Sequence, residues 1–230
     1  MESGVHLHMS TATTVRVQES LLAPLEKRAL IWIAERLPRA VNSDHLTVLG
    51  ITSMLAAGLA YWYSAVNPLG LWIVNLCLVL NWFGDSLDGT LARVRNRQRP
   101  RYGYYVDHVV DVIAISLLMG GMALSGHLSP AISAFFLVGY LLLSSEVFLA
   151  THALHKFQIS FFKFSPTELR ILLIIGNLFV FYKDPRLTLF GNIWQLYDIG
   201  FAIGAAGVLL IFAITSIRHT IQLYNEERLD

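Results

Sequence analysis

"DSLDGTLARVRNRQRPRYGYYVDHVVD", residues 85–111, interrupts a chain that is 55% hydrophobic and only 14% charged. It carries four aspartates, Asp85, Asp88, Asp107 and Asp111, beside apolar runs, with five arginines between the two pairs. Ionisable groups inside membrane-length apolar segments are costly and mark function by default. Asp85 and Asp88, three apart, share one helical face, which Ala92 joins; Asp107 and Asp111, four apart, share another. The short loop between the pairs makes the two helices antiparallel neighbours. Asp85 lies about eight residues before Arg93, roughly 12 Å of helix, and Asp111 lies at a similar depth beyond Arg101. The two pairs can therefore converge just below one surface.

The rest of the chain supports a membrane setting. Its 230 residues have a mean hydropathy of +0.55, and apolar stretches of roughly 20 residues, the length that crosses a bilayer, recur along nearly all of it. Residues 1–20 are polar and rich in Thr and Ser, with no apolar core or cleavage signal, and are expected to form a flexible tail. Residues 21–230 are expected to form a single membrane domain. "PLEKRALIWIAERLP", residues 24–38, is too short and too charged to span. Leu25, Ala29, Ile33 and Leu37 recur at helical spacing, as in an amphipathic interfacial helix. The alternative is a helix packed on protein. Six transmembrane helices are expected to follow, at 46–66, 69–92, 103–126, 130–155, 166–183 and 194–219. The fold class is thus all-α, integral to the membrane.

Fifteen of the 17 Lys and Arg fall on one side of this layout, Lys183 and Arg186 on the other. The positive-inside rule places both termini and the arginine-rich loop in the cytoplasm, at the inner membrane if the chain is bacterial. The net charge of +1 gives no reason to expect a nucleic-acid partner, because the basic residues are distributed by topology. The lone Cys77 excludes an internal disulfide and argues against a cysteine-based metal site. Gly200 and Gly204 form a G-x-x-x-G pattern that lets helices approach closely, within one chain or in a homodimer.

Four ionised carboxylates cannot share a dehydrated pocket without opposite charge. Protonation is one answer and metal the other. All-oxygen donors suit Mg²⁺ or Mn²⁺, and four aspartates can hold two such ions with positions left open for phosphate. Gly89, Ala92 and Gly103 then read as places where a bulky ligand passes close to backbone. A single intramembrane aspartate can serve helix packing, and a pair can relay protons; four at these spacings exceed either need. The arginines are individually a topology signal and a lipid-surface contact, with Arg93 set apart by its place one position past the Asp85–Asp88–Ala92 face.

The segment reads D-x2-D-G-x2-A-R-x9-G-x3-D-x3-D and resembles the signature of the CDP-alcohol phosphatidyltransferases. Asp85, Asp88, Gly89, Ala92, Arg93, Gly103, Asp107 and Asp111 occupy every fixed position. The resemblance implies transfer of a substituted phosphate from a CDP-linked alcohol to a hydroxyl, with release of CMP. It implies that Asp85, Asp88 and Asp107 ligate metal, with Asp111 joining the metal site or acting as catalytic base. Asp88, Gly89, Ala92, Arg93 and Gly103 would line the CDP site, with Arg93 near the phosphates. The family often has Pro-Asn, two residues, then Thr entering the first span; here Ser43 and Asp44 stand at the first two positions and Thr47 is kept. Thr47 would then join the CDP site, and Ser43 and Asp44 read equally as nucleotide contacts or as helix caps.

The acceptor is less legible. Members acting on phosphorylated polyols often have Lys or Arg after the fourth aspartate, where this chain has Val112. Asp107–His108 and Pro166-Thr167-Glu168 resemble the choline/ethanolamine phosphotransferase branch, which joins a CDP-amino alcohol to diacylglycerol. Glu168 or Glu146 could then meet the ammonium head, with His108 an acceptor-side candidate or a polar neighbour, although Pro166-Thr167-Glu168 is also an ordinary helix start. Lys163 and Arg170 could instead bind an acceptor phosphate, which keeps CDP-diacylglycerol with a polar alcohol open. The competing class is a small ion-coupled transporter. Its site is expected near the midplane on broken helices, whereas these aspartates lie near one surface.

Overall fold

The computed structural model describes residues 23–154, 166–183, 185–189 and 191–228. The expected tail at 1–20 lies outside the described residues. The elements in order are α1 (Ala23–Arg36), α2 (Ser43–Ser64), α3 (Gly70–Val94), α4 (Pro100–Leu124), α5 (Pro130–Leu154) and α6 (Pro166–Lys183). A hairpin of β1 (Arg186–Leu189) and β2 (Asn192–Gln195) and the long α7 (Leu196–Glu226) follow. Among the described residues, five helices are long and apolar enough to cross a membrane: α2, α3, α4, α5 and α7. The chain is a multi-pass, all-α membrane protein. The expected count of six is met only in part, because α6 carries Glu168, Arg170 and Lys183 within its 18 residues. The last helix begins at Leu196 and not 194, since residues 194 and 195 pair in the hairpin opposite Leu187 and Arg186. Gly191, at φ +79°, makes that turn possible.

Helix boundaries follow local chemistry. Asn42 caps α2 by accepting the His45 N–H at 3.0 Å. Ser43 and Asp44, read from the sequence as possible caps, bond elsewhere. Pro100 sits in the first turn of α4, where its missing N–H costs nothing. Between α3 and α4, Asn96 adopts φ +51°, a left-handed conformation that asparagine tolerates better than most residues. Arg97 N–H then returns to the Ala92 carbonyl at 2.9 Å, so the arginine-rich loop stays short.

The core is set by how closely helices cross. A Cβ on Gly84 of α3 would lie 2.5 Å from the Leu46 carbonyl and 2.7 Å from Gly50 N of α2. One on Gly121 of α4 would lie 2.1 Å from the Gly58 carbonyl, also of α2. α2 is thus wedged against both aspartate-bearing helices through backbone. The G-x-x-x-G pair behaves differently: Gly204 lies under Phe136 of α5, and a Cβ on Gly200 would meet nothing within 4 Å. Deeper in the bundle, the buried Tyr61 and Tyr197 hydroxyls donate to Asn177 Oδ1 at 2.9 and 2.5 Å. Asn177 Nδ2 donates to Asn75 Oδ1 at 2.8 Å. This network joins α2, α3, α6 and α7, satisfying polar groups that lipid could not. At the hairpin end, Asp198 accepts from Ser129 N at 2.7 Å and Gln195 N at 3.1 Å, which ties the α4–α5 turn to the start of α7.

α1 packs on protein. Leu30 and Ala34 are buried with Leu46 of α2 and Leu87 and Leu91 of α3, and Ile33 and Leu37 pack at the edge. Ala29, expected on the apolar face, is exposed. The outward face carries Lys27, Arg28, Glu35 and Arg36 around Trp32, which is 57% exposed and covered by the Arg36 guanidinium at 4.2 Å. That face retains the basic, aromatic character of a helix lying at a lipid surface.

The Gly84 crossing gives a direct prediction. Gly84→Val is expected to cost about 1–3 kcal/mol by overpacking against backbone that cannot yield. Gly120→Val, whose Cβ would meet nothing within 4 Å, is expected to stay within about 0.5 kcal/mol of the parent. Thermal unfolding in detergent micelles measures both.

Candidate active site

The Gly50–Gly84 contact fixes the backbone one residue before Asp85, so the last turns of α3 lie against the first turns of α2. There Ser43 Oγ donates to the Asp88 carbonyl at 2.9 Å, and Thr47 Oγ1 donates to Asp88 Oδ2 at 2.9 Å. The other Asp88 oxygen accepts the Gly89 N–H. Asp88 is therefore oriented by α2, with its carboxylate half-buried.

On the neighbouring helix, Asp107 and Asp111 occupy the second and third turns of α4. Oxygen atoms of Asp85, Asp107 and Asp111 lie within 4.8 Å of one another, with Asp85 and Asp107 half-buried and Asp111 exposed. Three oxygens that close, from two antiparallel helices, have the spacing and donor type of a hard divalent cation's shell. The fourth aspartate does not join this triad; Thr47 and Gly89 hold its two oxygens one turn away.

Part of the charge is answered by protein. Arg170 of α6 places Nη2 2.5 Å from Asp85 Oδ2 and Nε 2.8 Å from Asn81 Oδ1. Asn81 in turn donates to the Gly50 carbonyl at 3.1 Å, linking the arginine to the glycine crossing. The Arg170 side chain is only 15% exposed, so it reads as a fixed cation of the site. Tyr140 of α5 sits in the electrostatic field of Asp111, Asp85 and Asp107. Asn81 and Tyr140 escaped the sequence reading; a polar residue within an apolar run was the available signal for each.

The remaining expected residues divide into groups. Arg93 Nη2 donates to Thr90 Oγ1 at 3.0 Å, and its guanidinium is the nearest neighbour of a Cβ placed on Gly89. A Cβ on Gly103 would meet nothing within 4 Å. Of the two glycines, Gly103 faces open space and Gly89 faces Arg93. A cleft of about 370 Å³ opens at the α3–α4 turn, lined by Ser43, Asp44, Ala92, Arg95, Arg97 and Arg99 among others. Asp44 and Arg99 pair across its lining. His108 lies tilted over Tyr104, centroid 4.1 Å away, and meets Phe148 of α5 edge-on at 4.7 Å.

Glu146 does not join this group. α5 turns Phe148 toward α4, and Glu146, two residues earlier, faces α7, where Oε1 meets His219 Nδ1 at 2.5 Å. Glu168 lies in the first turn of α6, two residues before Arg170. Lys163 lies outside the described residues.

Removing the Arg170 charge should leave Asp85 more available to a cation. Arg170→Gln is expected to tighten Mn²⁺ binding on the order of fivefold, about 1 kcal/mol for one ion pair at a partly exposed site. Titration of the purified protein, followed by the electron paramagnetic resonance of free Mn²⁺, measures this. Asp107→Asn is expected to weaken the same binding.

A protein-family model described as CDP-alcohol phosphatidyltransferase matches residues 41–216, from the turn before α2 to the middle of α7. No individual curated protein matches the chain.

Proposed function

The chain belongs to the CDP-alcohol phosphatidyltransferase family, and on that premise we propose how its residues divide the work and which substrates it joins. The family assignment makes it a transferase of phosphate-containing groups in phospholipid biosynthesis. The observation that carries the site reading is the meeting of Asp85, Asp107 and Asp111 oxygens within 4.8 Å. Those residues would hold Mg²⁺ or Mn²⁺, with Asp88 completing a two-ion site. Divalent ions there supply charge neutralisation on the pyrophosphate and alignment of attacking and leaving oxygens.

The CDP moiety is assigned to the cleft beside Ala92 and Ser43. Gly89 and Gly103 leave room for the phosphates, and Arg93 offers a guanidinium to them. Thr47 serves indirectly, by orienting Asp88. Asp111, the most exposed of the three clustered carboxylates, is placed to take the acceptor's hydroxyl proton. The acceptor oxygen bonds to the donor phosphorus next to the alcohol, the bond from that phosphorus to the CMP oxygen breaks, and CMP leaves.

For the substrates, the Tyr104–His108–Phe148 cluster beside Asp107 favours a CDP-amino alcohol, since aromatic faces attract ammonium groups. The acceptor is then diacylglycerol, and Glu168 is the further carboxylate on the α6 side. A specific observation favours the second reading: Arg170 inside the site suits an anionic acceptor, in which case CDP-diacylglycerol is the donor and a polar alcohol phosphate the acceptor. Both place the site and the termini on the cytoplasmic side, by the distribution of Lys and Arg. A homodimer is compatible with either.

The test is CMP release by purified protein with Mg²⁺ and a panel of CDP-alcohols and lipid or alcohol acceptors. CMP is expected with CDP-ethanolamine or CDP-choline plus diacylglycerol. Asp107→Asn is expected to lower the rate on the order of 100-fold or more, the scale of a lost transition-state charge contact. CMP only with CDP-diacylglycerol and a polar alcohol reassigns the substrates. No CMP from any pair, with Asp107→Asn equal to the parent, overturns the catalytic reading.

A further inference from the structure

Glu26 of α1 gathers hydrogen bonds from two other helices. Its Oε1 accepts from Trp82 Nε1 at 2.7 Å, Thr167 Oγ1 at 2.9 Å and Ser86 Oγ at 3.4 Å. A carboxylate acceptor makes such bonds stronger than neutral pairs. Trp82 and Ser86 belong to α3 and bracket Asp85. Thr167 begins α6 and lies three residues before Arg170, which is one helical turn. Arg170 returns to α3 through Asp85 and Asn81. These contacts form a closed circuit: α1 holds α6, α6 presents Arg170, and Arg170 holds Asp85.

α1 itself is well fixed. Leu30 and Ala34 are buried against Leu87 and Leu91. Beyond its C-terminus, Arg95 of the α3–α4 turn donates to the Leu37 and Pro38 carbonyls at 2.8 and 3.0 Å and to that of Val41. The helix is thus pinned to α3 at residues 82–86, around Asp85, and the chain just past it again at residue 95, on either side of Asp88, Ala92 and Arg93. Its two anchors leave Glu26 with one task that α1–α3 packing does not need, the grip on Thr167.

We propose that Glu26 is a positioning residue of the site. By holding Thr167 it sets the first turn of α6, and so fixes the Arg170 guanidinium on Asp85. The helix that presents a basic, aromatic face outward is by this contact a structural part of the charge balance among the aspartates. The inference rests on the cation-site reading of Asp85 only for its second measurement below.

Two variants separate positioning from general folding. Thr167→Val removes the α6 bond while leaving Trp82 and Ser86 on Glu26, and Glu26→Ala removes all three. Glu26→Gln keeps an oxygen that can accept them. In hydrogen–deuterium exchange, amides of residues 169–173 are expected to exchange about fivefold faster or more in Thr167→Val and Glu26→Ala, with partial or full recovery in Glu26→Gln. Residues 176–180, beside the Asn177 network, should keep the parent rate. Unchanged exchange at 169–173 in Thr167→Val overturns the proposal, whatever the catalytic outcome.

The second measurement is Mn²⁺ affinity, which does not depend on turnover. Thr167→Val is expected to tighten it, as Arg170→Gln does, and to add nothing in an Arg170→Gln background, because both act through one ion pair. Weaker binding in Thr167→Val, or independent addition of the two effects, also overturns the proposal. If exchange responds as expected while no CMP forms from any substrate pair, the catalytic reading fails and the positioning of Arg170 stands.

Discussion

The approach of α2 to α3 at Gly50 and Gly84 is the constraint on which the site depends. Backbone meets backbone there, with no room for a Cβ on Gly84, and Asp85 is the next residue along α3. This contact lets Thr47 and Ser43 reach Asp88, and lets Asn81 reach the Gly50 carbonyl and so carry Arg170. The matching contact of Gly58 with Gly121 brings α4 against the same helix. Helices separated by ordinary side chains pack 8–10 Å apart. The closer contacts here draw α3 and α4 onto one shared support, α2, and their aspartates meet at its end.

Charge is the second constraint. Three carboxylate oxygens within 4.8 Å repel strongly where water is scarce. Arg170 compensates one of them from α6, and Thr47 and the Gly89 N–H satisfy the fourth aspartate separately. Arg170 thus answers part of the cluster's charge, and neutral donors hold Asp88 beside it. Asp111 stays exposed, and a cleft lined by Ala92 and the loop arginines opens where α3 turns into α4.

Much of this was legible from residue spacing. Three and four apart are helical-face spacings, so the pairing of Asp85 with Asp88 and of Asp107 with Asp111 could be read directly, as could their depth below the arginine loop. Spacing does not say which way a carboxylate turns. Asp88 faces α2 because Thr47 and Ser43 are there, and Glu146 faces α7 because His219 is there; both partners are more than 40 positions away. The close glycine contacts were also invisible, since Gly50, Gly58, Gly84 and Gly121 form no local pattern, whereas a Cβ on either glycine of the visible G-x-x-x-G pair would meet no backbone among the described residues. The apolar face of α1 was read one residue off for a similar reason: short helices admit several apolar stripes, and the partner surface at Leu87 and Leu91 selects one.

The sequence by itself determined the membrane class, most of the helical segments and the family signature with its four aspartates. Each of these is written in composition or in spacings of ten residues or fewer. Only the tertiary structure decided which three of the four aspartates meet, that Arg170 neutralises one of them, and that Glu26 of the outlying helix is tied to the same group. Those facts depend on contacts between residues 22 to 141 positions apart. Such contacts arise from how helices cross, and the crossing is set by steric fit between distant backbones, which no local pattern records.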